Sequence, residues 1–312
     1  MALGQNAPWP SLRQQKTPPG SSWRKGLLLT PIFILGAPRT GSTVLFQTIV
    51  GRFELPYISN FTNHYFSKNP LLGLAVQRLT KTSITLESAY GKTSGRLQPS
   101  EGSAIFNNWF GGNHPSQKYS YKIAEGKEEH FLKTVSRIQK LYGNRPLVTK
   151  NAWNCFRVPY LAQALPKAKF IWIRRDIFQA AESDLEARYT TKDSPVSWNS
   201  ATPANFKELL ALRPSEQVVE NQYEFSKAIS SELSKLEASR SMQIWYEDLI
   251  ADTDTEVLRI SQFLSLTPNK KYLSLSKTAT NGTKTSDQEV KEIHLYLQAN
   301  PKFDWLHYQR ET

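Results

Sequence analysis

Residues 31–43 read Pro31-Ile-Phe-Ile-Leu-Gly-Ala-Pro-Arg-Thr-Gly-Ser-Thr43, and this stretch decides the fold. The apolar run Ile32 to Leu35 enters a turn bracketed by Gly36 and Gly41, and Val44, Leu45, Phe46 and Ile49 follow at helical spacing. Strand, glycine-bracketed turn and helix in that order make a phosphate-binding loop. The glycines let the backbone approach an anion, and the N–H groups of residues 39–43 point at it from a helix start. Thr40 lies within the turn, Ser42 and Thr43 add hydroxyl donors, and Arg39 offers a planar fork that suits two oxygens of a tetrahedral phosphate or sulfate. Ser42 stands where an ATP-using loop needs its lysine. The expected ligand is therefore anionic, and ATP is not favoured.

A second anion signature ends the apolar run Lys169-Phe-Ile-Trp-Ile-Arg-Arg-Asp176. A phosphotransferase of the usual loop type places a magnesium-binding aspartate after this strand. Here Arg174 and Arg175 come first, and Ser183 follows on the next helix, so the strand end reads as a second anion site and not as a metal site.

Taken together these motifs resemble the sulfotransferases that use 3′-phosphoadenosine 5′-phosphosulfate (PAPS). Gly36 to Thr43 is similar to that family's 5′-phosphosulfate loop, so the resemblance gives Gly36, Arg39, Thr40, Gly41, Ser42 and Thr43 to the co-substrate. Arg175 and Ser183 match the pair that grips the 3′-phosphate. Tyr246-Glu-Asp-Leu249, before a helix ending in Phe263-Leu264, matches a third signature and adds Tyr246. Lys284, with Thr283, falls where the family has a nucleotide-covering loop, and Arg188 is a further candidate for the 3′-phosphate.

Lys150-Asn-Ala-Trp153 resembles the family stretch whose lysine neutralises the transferring sulfuryl group, although Asn151 and Ala152 depart from the pattern. Arg39 and Lys150 are thus the expected catalytic cations. The general base stays open. Glu101, in Gln98-Pro-Ser-Glu-Gly102, resembles a Pro-x-Glu segment of bacterial members, and His64 is the other main candidate; Glu54 and His114 follow. Glu101 also has a structural alternative, in the first turn of a helix capped by Ser100 and running through Ile105, Trp109 and Phe110.

The remaining features bound the class. The chain has 312 residues, 39% of them hydrophobic, enough for one α/β domain with insertions. The net charge of +12 suits a multiply charged nucleotide and an acidic acceptor; no nucleic-acid-binding motif accompanies it. One cysteine, Cys155, excludes an internal disulfide and fits a reducing cytoplasm, and the five histidines fall at no zinc-ligand spacing, so no metal is expected. Residues 1–25 are Pro-, Ser-, Gln- and Lys-rich and read as a mobile leader before a single domain over 26–312. The longest apolar stretch, Gly26 to Ala37, is interrupted by Thr30 and Pro31 and serves as the first strand, so no membrane span is expected; a soluble bacterial-type enzyme is favoured.

Helical patterns at Leu71–Leu79, His130–Leu141, Val158–Leu165, Asp176–Arg188, Thr255–Leu264 and Ser286–Gln298 alternate with strands at Leu147–Thr149 and Gln243–Tyr246. The alternation predicts an α/β fold: a P-loop-type central parallel sheet flanked by helices on both faces, with ligands at the carboxyl ends of the strands. The segment before Leu147 corresponds to a helical insertion that builds the acceptor pocket in the family. Phe106, Phe110, Tyr119, Tyr121 and Trp153 are there as an aromatic wall for a sugar ring or small apolar acceptor, or as core.

Overall fold

The computed structural model describes residues 29–309 apart from 81, 87, 90, 112–122, 193, 199–200 and 270–283. The leader expected over residues 1–25, together with Thr283, His114, Tyr119 and Tyr121, lies outside the described residues. In chain order the elements are β1 (Ile32–Leu35), α1 (Ser42–Phe53), α2 (Asn60–Tyr65), α3 (Pro70–Arg78), β2 (Ser88–Ala89), β3 (Lys92–Thr93), α4 (Ser103–Phe110), α5 (Glu128–Leu141) and β4 (Val148–Lys150). Then come α6 (Val158–Ala164), β5 (Lys169–Arg174), α7 (Ile177–Lys192), α8 (Phe206–Leu209), α9 (Pro214–Leu233), β6 (Ser241–Trp245), α10 (Tyr246–Ala251), α11 (Thr253–Leu264) and α12 (Asp287–Gln298).

Strands β4, β1, β5 and β6 form a four-stranded, all-parallel sheet in that order, and β2 pairs antiparallel with β3. Successive strand side chains point to opposite faces. In β1, Ile32 and Ile34 face one side with Ile171, Ile173 and Ile244, and are covered by Leu45, Phe46 and Ile49 of α1 and Val257 and Ile260 of α11. Phe33 and Leu35 face the other side with Phe170 and Trp172, under Leu161 of α6 and Phe225 and Ile229 of α9. Both faces are apolar because both are buried, which is what a parallel sheet requires. A third cluster joins Leu185 of α7, Val218 of α9, Ile293 of α12 and Phe303.

The expected central sheet is therefore present, with boundaries shifted by a few residues. The first strand is shorter than the apolar stretch that announced it, because Pro31 and Gly36 flank a run of only four residues that can pair. Among the described residues no helix is long and apolar enough to cross a membrane.

The sheet places the phosphate loop. Gly41, at the N-terminal cap of α1, has φ +83°, and a Cβ there would lie 2.2 Å from Cδ2 of Tyr246. A Cβ on Gly36 would lie 2.7 Å from Thr40 Oγ1 and 2.9 Å from Ile173 Cγ2. Each glycine admits a neighbour that any side chain would displace. Gly41→Ala is expected to lower unfolding stability, by roughly 2 kcal/mol or more, since the left-handed backbone alone costs about 1–2 kcal/mol for a residue with a Cβ. Chemical denaturation measures this, and a wild-type midpoint would refute the packing described.

Candidate functional site

Arg39 is the strained residue of the loop, with φ +67° although it carries a side chain. Three contacts from distant elements hold it. The Arg175 Nη1 donates to the Arg39 carbonyl at 3.1 Å, the Gln222 Nε2 of α9 donates to the Pro38 carbonyl at 2.8 Å, and the Arg39 Nε donates to Ser183 Oγ of α7 at 3.1 Å. Thr40 is buried and its hydroxyl donates to the Ala37 carbonyl at 2.8 Å, closing the turn. Gly41 gives α1 no side-chain cap, and a helix start without one leaves amides of the kind that can take an anion. The Thr43 hydroxyl donates to the Gly91 carbonyl at 3.2 Å, which brings the β2–β3 turn over the loop.

The two arginines after β5 have different fates. Arg174 shares a strand face with Trp172, and its guanidinium lies 5.0, 4.2 and 5.4 Å from the rings of Trp172, Trp245 and Trp305. It is part of a cation–π cage, whereas Arg175 turns toward the loop. The Arg175 guanidinium stacks over Tyr246 at 4.8 Å, and its buried Nε has no hydrogen-bond partner among the described residues. That orphaned donor, beside Ser183 and Arg39, fits an anionic group.

The Tyr246-Glu-Asp-Leu249 signature acquires a physical meaning here. Tyr246 packs on Gly41, Glu247 Oε1 accepts the Asp176 N–H at 3.0 Å, Asp248 accepts the Tyr308 hydroxyl at 2.6 Å and Leu249 is buried. Burial pushes the Glu247 carboxyl above the usual range, partly offset by the Asp176 amide and by the charge of Arg175. Asp176 accepts the Phe178 and Gln179 amides at the start of α7 and bonds His307 and Tyr308 through its other oxygen.

At the end of β4, Lys150 Nζ forms an ion pair with Glu101 Oε1, the ammonium side chain being 8% exposed and the carboxylate 37%. Two residues singled out on separate grounds thus meet. Asn151 Nδ2 holds the Glu101 carbonyl at 3.1 Å, so the departure from the family stretch supplies a tether. The expected Ser100 cap does not form: Gly102 occupies the N-cap of α4, Ser100 Oγ accepts the Gly102 N–H at 3.3 Å, and Glu101 precedes the helix. Cys155 joins the two halves of the site. It exchanges hydrogen bonds of 3.4 Å with the N–H and carbonyl of Gly36, and burial pushes its thiol up to about 12 against the pull of Gly36 and Lys150.

Other candidates stand apart. His64 is exposed on α2, its ring edge-on to Tyr65 at 4.5 Å. Glu54 is exposed just after α1, in the left-handed conformation. Lys284 is exposed, and its N–H donates to Glu186 of α7 at 2.7 Å, one turn from Ser183. Although burial opposes it, hydrogen bonds from Thr285 and Lys284 hold the Glu186 carboxyl below its usual range. Arg188 is 1% exposed and spends Nη1 on the Pro195 carbonyl and Gln217, so it faces inward. Phe106, Trp109 and Phe110 are at most 2% exposed in the core, which removes them from an acceptor wall; Trp153 is partly buried against the same core. Among the described residues no group of three or more His, Cys, Asp or Glu is placed to hold a metal ion.

Sequence reading missed α9, the longest described helix, and with it Gln222 and Asn221. The signal was there: Pro214 at a helix start, then Val218, Phe225, Ile229 and Leu233 at helical spacing.

The structure thus sets a glycine-bracketed loop at the carboxyl end of a parallel strand, beside an arginine–serine pair from the next strand end and the helix after it, in an α/β protein. A profile of the sulfotransferase family matches residues 31–269, and the chain belongs to that family. No curated protein matches the sequence. Among solved structures, sulfotransferase STF9 from Mycobacterium avium is similar in fold, with TM-score 0.51 and 15% identity over 88% of this chain and 69% of that one. A sulfotransferase from Alicyclobacillus acidocaldarius gives 0.48 and 15% over 89% and 94%, and the sulfotransferase domain of the curacin biosynthetic pathway 0.47 and 16% over 87% and 98%.

Because Cys155 is the chain's one cysteine, alkylation reads its environment without ambiguity. At pH 8 the native protein is expected to react with a thiol reagent at least about 100-fold more slowly than the denatured chain, whose thiol titrates near 8.5. Equal rates would show that the thiol is not sealed under the loop.

Proposed function

We propose that this sulfotransferase uses PAPS and transfers its sulfuryl group to an acceptor hydroxyl, of a carbohydrate or a small metabolite, releasing adenosine 3′,5′-bisphosphate. The observation that carries the reading is the bond from Arg39 Nε to Ser183 Oγ, which joins the two anion signatures into one surface. Gly36, Arg39, Thr40, Gly41, Ser42 and Thr43 would hold the phosphosulfate side, Arg175 and Ser183 the 3′-phosphate, with Tyr246 fixing Arg175 and Lys284 at the margin. Bound there, PAPS supplies an activated sulfuryl group on a phosphate leaving group.

The residues of this chain then have distinct tasks. Arg39 and the amides at the start of α1 bind negative charge that is fixed before reaction begins. Lys150, nearly buried at the end of β4, places an ammonium where charge develops on the breaking bond. Glu101 is the base: Lys150 and Asn151 orient it, and its exposed carboxylate takes the acceptor's proton as the new oxygen–sulfur bond forms. His64 is not assigned this task, since it lies exposed against Tyr65. The excess of positive charge favours an acceptor that is itself acidic. A single domain over 26–312, without metal or nucleic acid, working in the cytoplasm, completes the reading.

Calorimetry tests the donor. Adenosine 3′,5′-bisphosphate is expected to bind without magnesium and more tightly than ADP or ATP; preference for ATP with magnesium would overturn the proposal. With an acceptor in hand, Lys150→Ala should lower kcat by about 10²–10³, and Glu101→Gln by about 10²–10⁴ while bisphosphate affinity is retained. Wild-type turnover in Glu101→Gln would remove Glu101 as base.

A further inference from the structure

Helix α3 carries its apolar residues on the outside. Its one uncharged polar side chain, Gln77, is buried, where Nε2 donates to the Tyr57 carbonyl at 3.2 Å and Oε1 accepts the Thr62 hydroxyl at 3.3 Å. Leu72, Val76 and, just after the helix, Leu79 are exposed, Leu79 to 87%. These positions stand at i, i+4 and i+7, so they form one stripe. A surface helix ordinarily turns such a stripe to the core. On the neighbouring α2, whose Thr62 packs against Gly73, Tyr65 is exposed as well. Single exposed apolar side chains need no explanation, whereas a row of them with a polar rim marks a contact surface.

The charges around the stripe have one sign. Residues 55–86 include Lys68, Arg78 and Lys81 and no Asp or Glu, and residues 130–175 hold no Asp or Glu either. The second stretch meets the first. Arg78 Nη1 donates to the Leu141 carbonyl and the Tyr142 hydroxyl to the Leu74 carbonyl at 3.0 Å, which sets the last turn of α5, with Arg137 and Lys140 exposed, beside α3. The acids of α5, Glu128 and Glu129, lie at its opposite end, and Glu129 is paired with Lys133 there.

Like charge argues against an occupant from this chain. Residues 1–28, 112–122 and 270–283, the longer segments outside the described residues, each carry lysine or arginine and no Asp or Glu. A second copy, with net charge +12, would bring the same basic border against itself. A stable protein interface also takes about 20–30 residues a side, far more than this stripe supplies. Protruding aliphatic side chains bordered by Lys and Arg suit the boundary between headgroups and acyl chains of an anionic bilayer.

We propose that this face docks the protein reversibly on an anionic lipid surface: Leu72, Val76 and Leu79 enter the acyl boundary, and Lys68, Arg78 and Lys140 meet the headgroup charge. The chain lies on the membrane and does not span it. The inference goes beyond the PAPS reading and stands without it.

Cosedimentation with lipid vesicles tests it. Wild-type protein is expected to bind vesicles of phosphatidylcholine mixed with phosphatidylglycerol at least about tenfold more tightly than phosphatidylcholine alone, and to lose that preference in high salt. The combined variant Leu72→Ser, Val76→Ser and Leu79→Ser is expected to lose about tenfold or more of the binding to the mixed vesicles, with thermal unfolding unchanged because all three side chains are exposed. Full binding by this variant overturns the inference, since it would leave only the diffuse positive charge at work. Absence of vesicle binding by wild type overturns it too, and stripe-dependent self-association in light scattering, or stripe-dependent capture of an acidic protein, would then give the face to that partner. Should the triple variant not fold, Lys68→Glu with Lys140→Glu takes its place: the same loss is expected, and wild-type affinity is decisive against the proposal.

Discussion

The rest of the site depends on a backbone that does not hold itself. Arg39 and Gly41 both lie in the left-handed region, at φ +67° and +83°, within one tight turn. For a residue with a side chain this costs on the order of 1–3 kcal/mol and persists only where the surroundings fix it. Here they do: Arg175 and Gln222 bond the carbonyls of Arg39 and Pro38, Cys155 brackets Gly36, and the Tyr246 ring fills the space that a side chain at Gly41 would take. The groups that hold the loop come from β5, α9, the turn after β4 and α10. Those proposed to face an anion come from nearly the same places, so on that reading binding surface and support are one construction.

Much of this was legible because it is local. The loop reads as a loop from Gly36 to Thr43 alone, and the interval from Arg175 to Ser183 spans only a strand end and the start of one helix. The four residues from Tyr246 to Leu249 each proved to have a contact that explains them. The Lys150–Glu101 pair was within reach too, since each residue had been marked independently, although nothing in the spacing says that they touch. What escaped is what burial and distance decide. Gln222 and Pro38 are 184 residues apart, and no pattern along the chain connects them. Arg188 carries the same charge as Arg175, yet one is sealed under Trp198 and the other opens toward the loop. Aromatic spacing at Phe106, Trp109 and Phe110 announced a helix face but not whether the face met solvent or core.

Arg174 and Arg175 illustrate how little separates structure from function in such a strand end. Alternation along β5 sends Arg174 to the face of Trp172, where two further indoles close around it. Arg175, one residue on, leaves the strand and reaches the loop. The same charge stabilises an aromatic layer in one case and orders a backbone in the other.

The order of the strands also has a consequence for the making of the protein. On a ribosome the loop emerges early, while Gln222 and Tyr246, which bear on it, follow some 200 residues later; at 5–20 residues per second that interval is on the order of ten seconds or more. Throughout it the nascent loop has its glycines but neither of those two supports. An amino-terminal fragment ending before α9 would carry the whole loop motif in its sequence while lacking what holds Pro38 and covers Gly41. Competence of the loop is thus timed by translation, and arrives only as the last strand of the sheet is laid down.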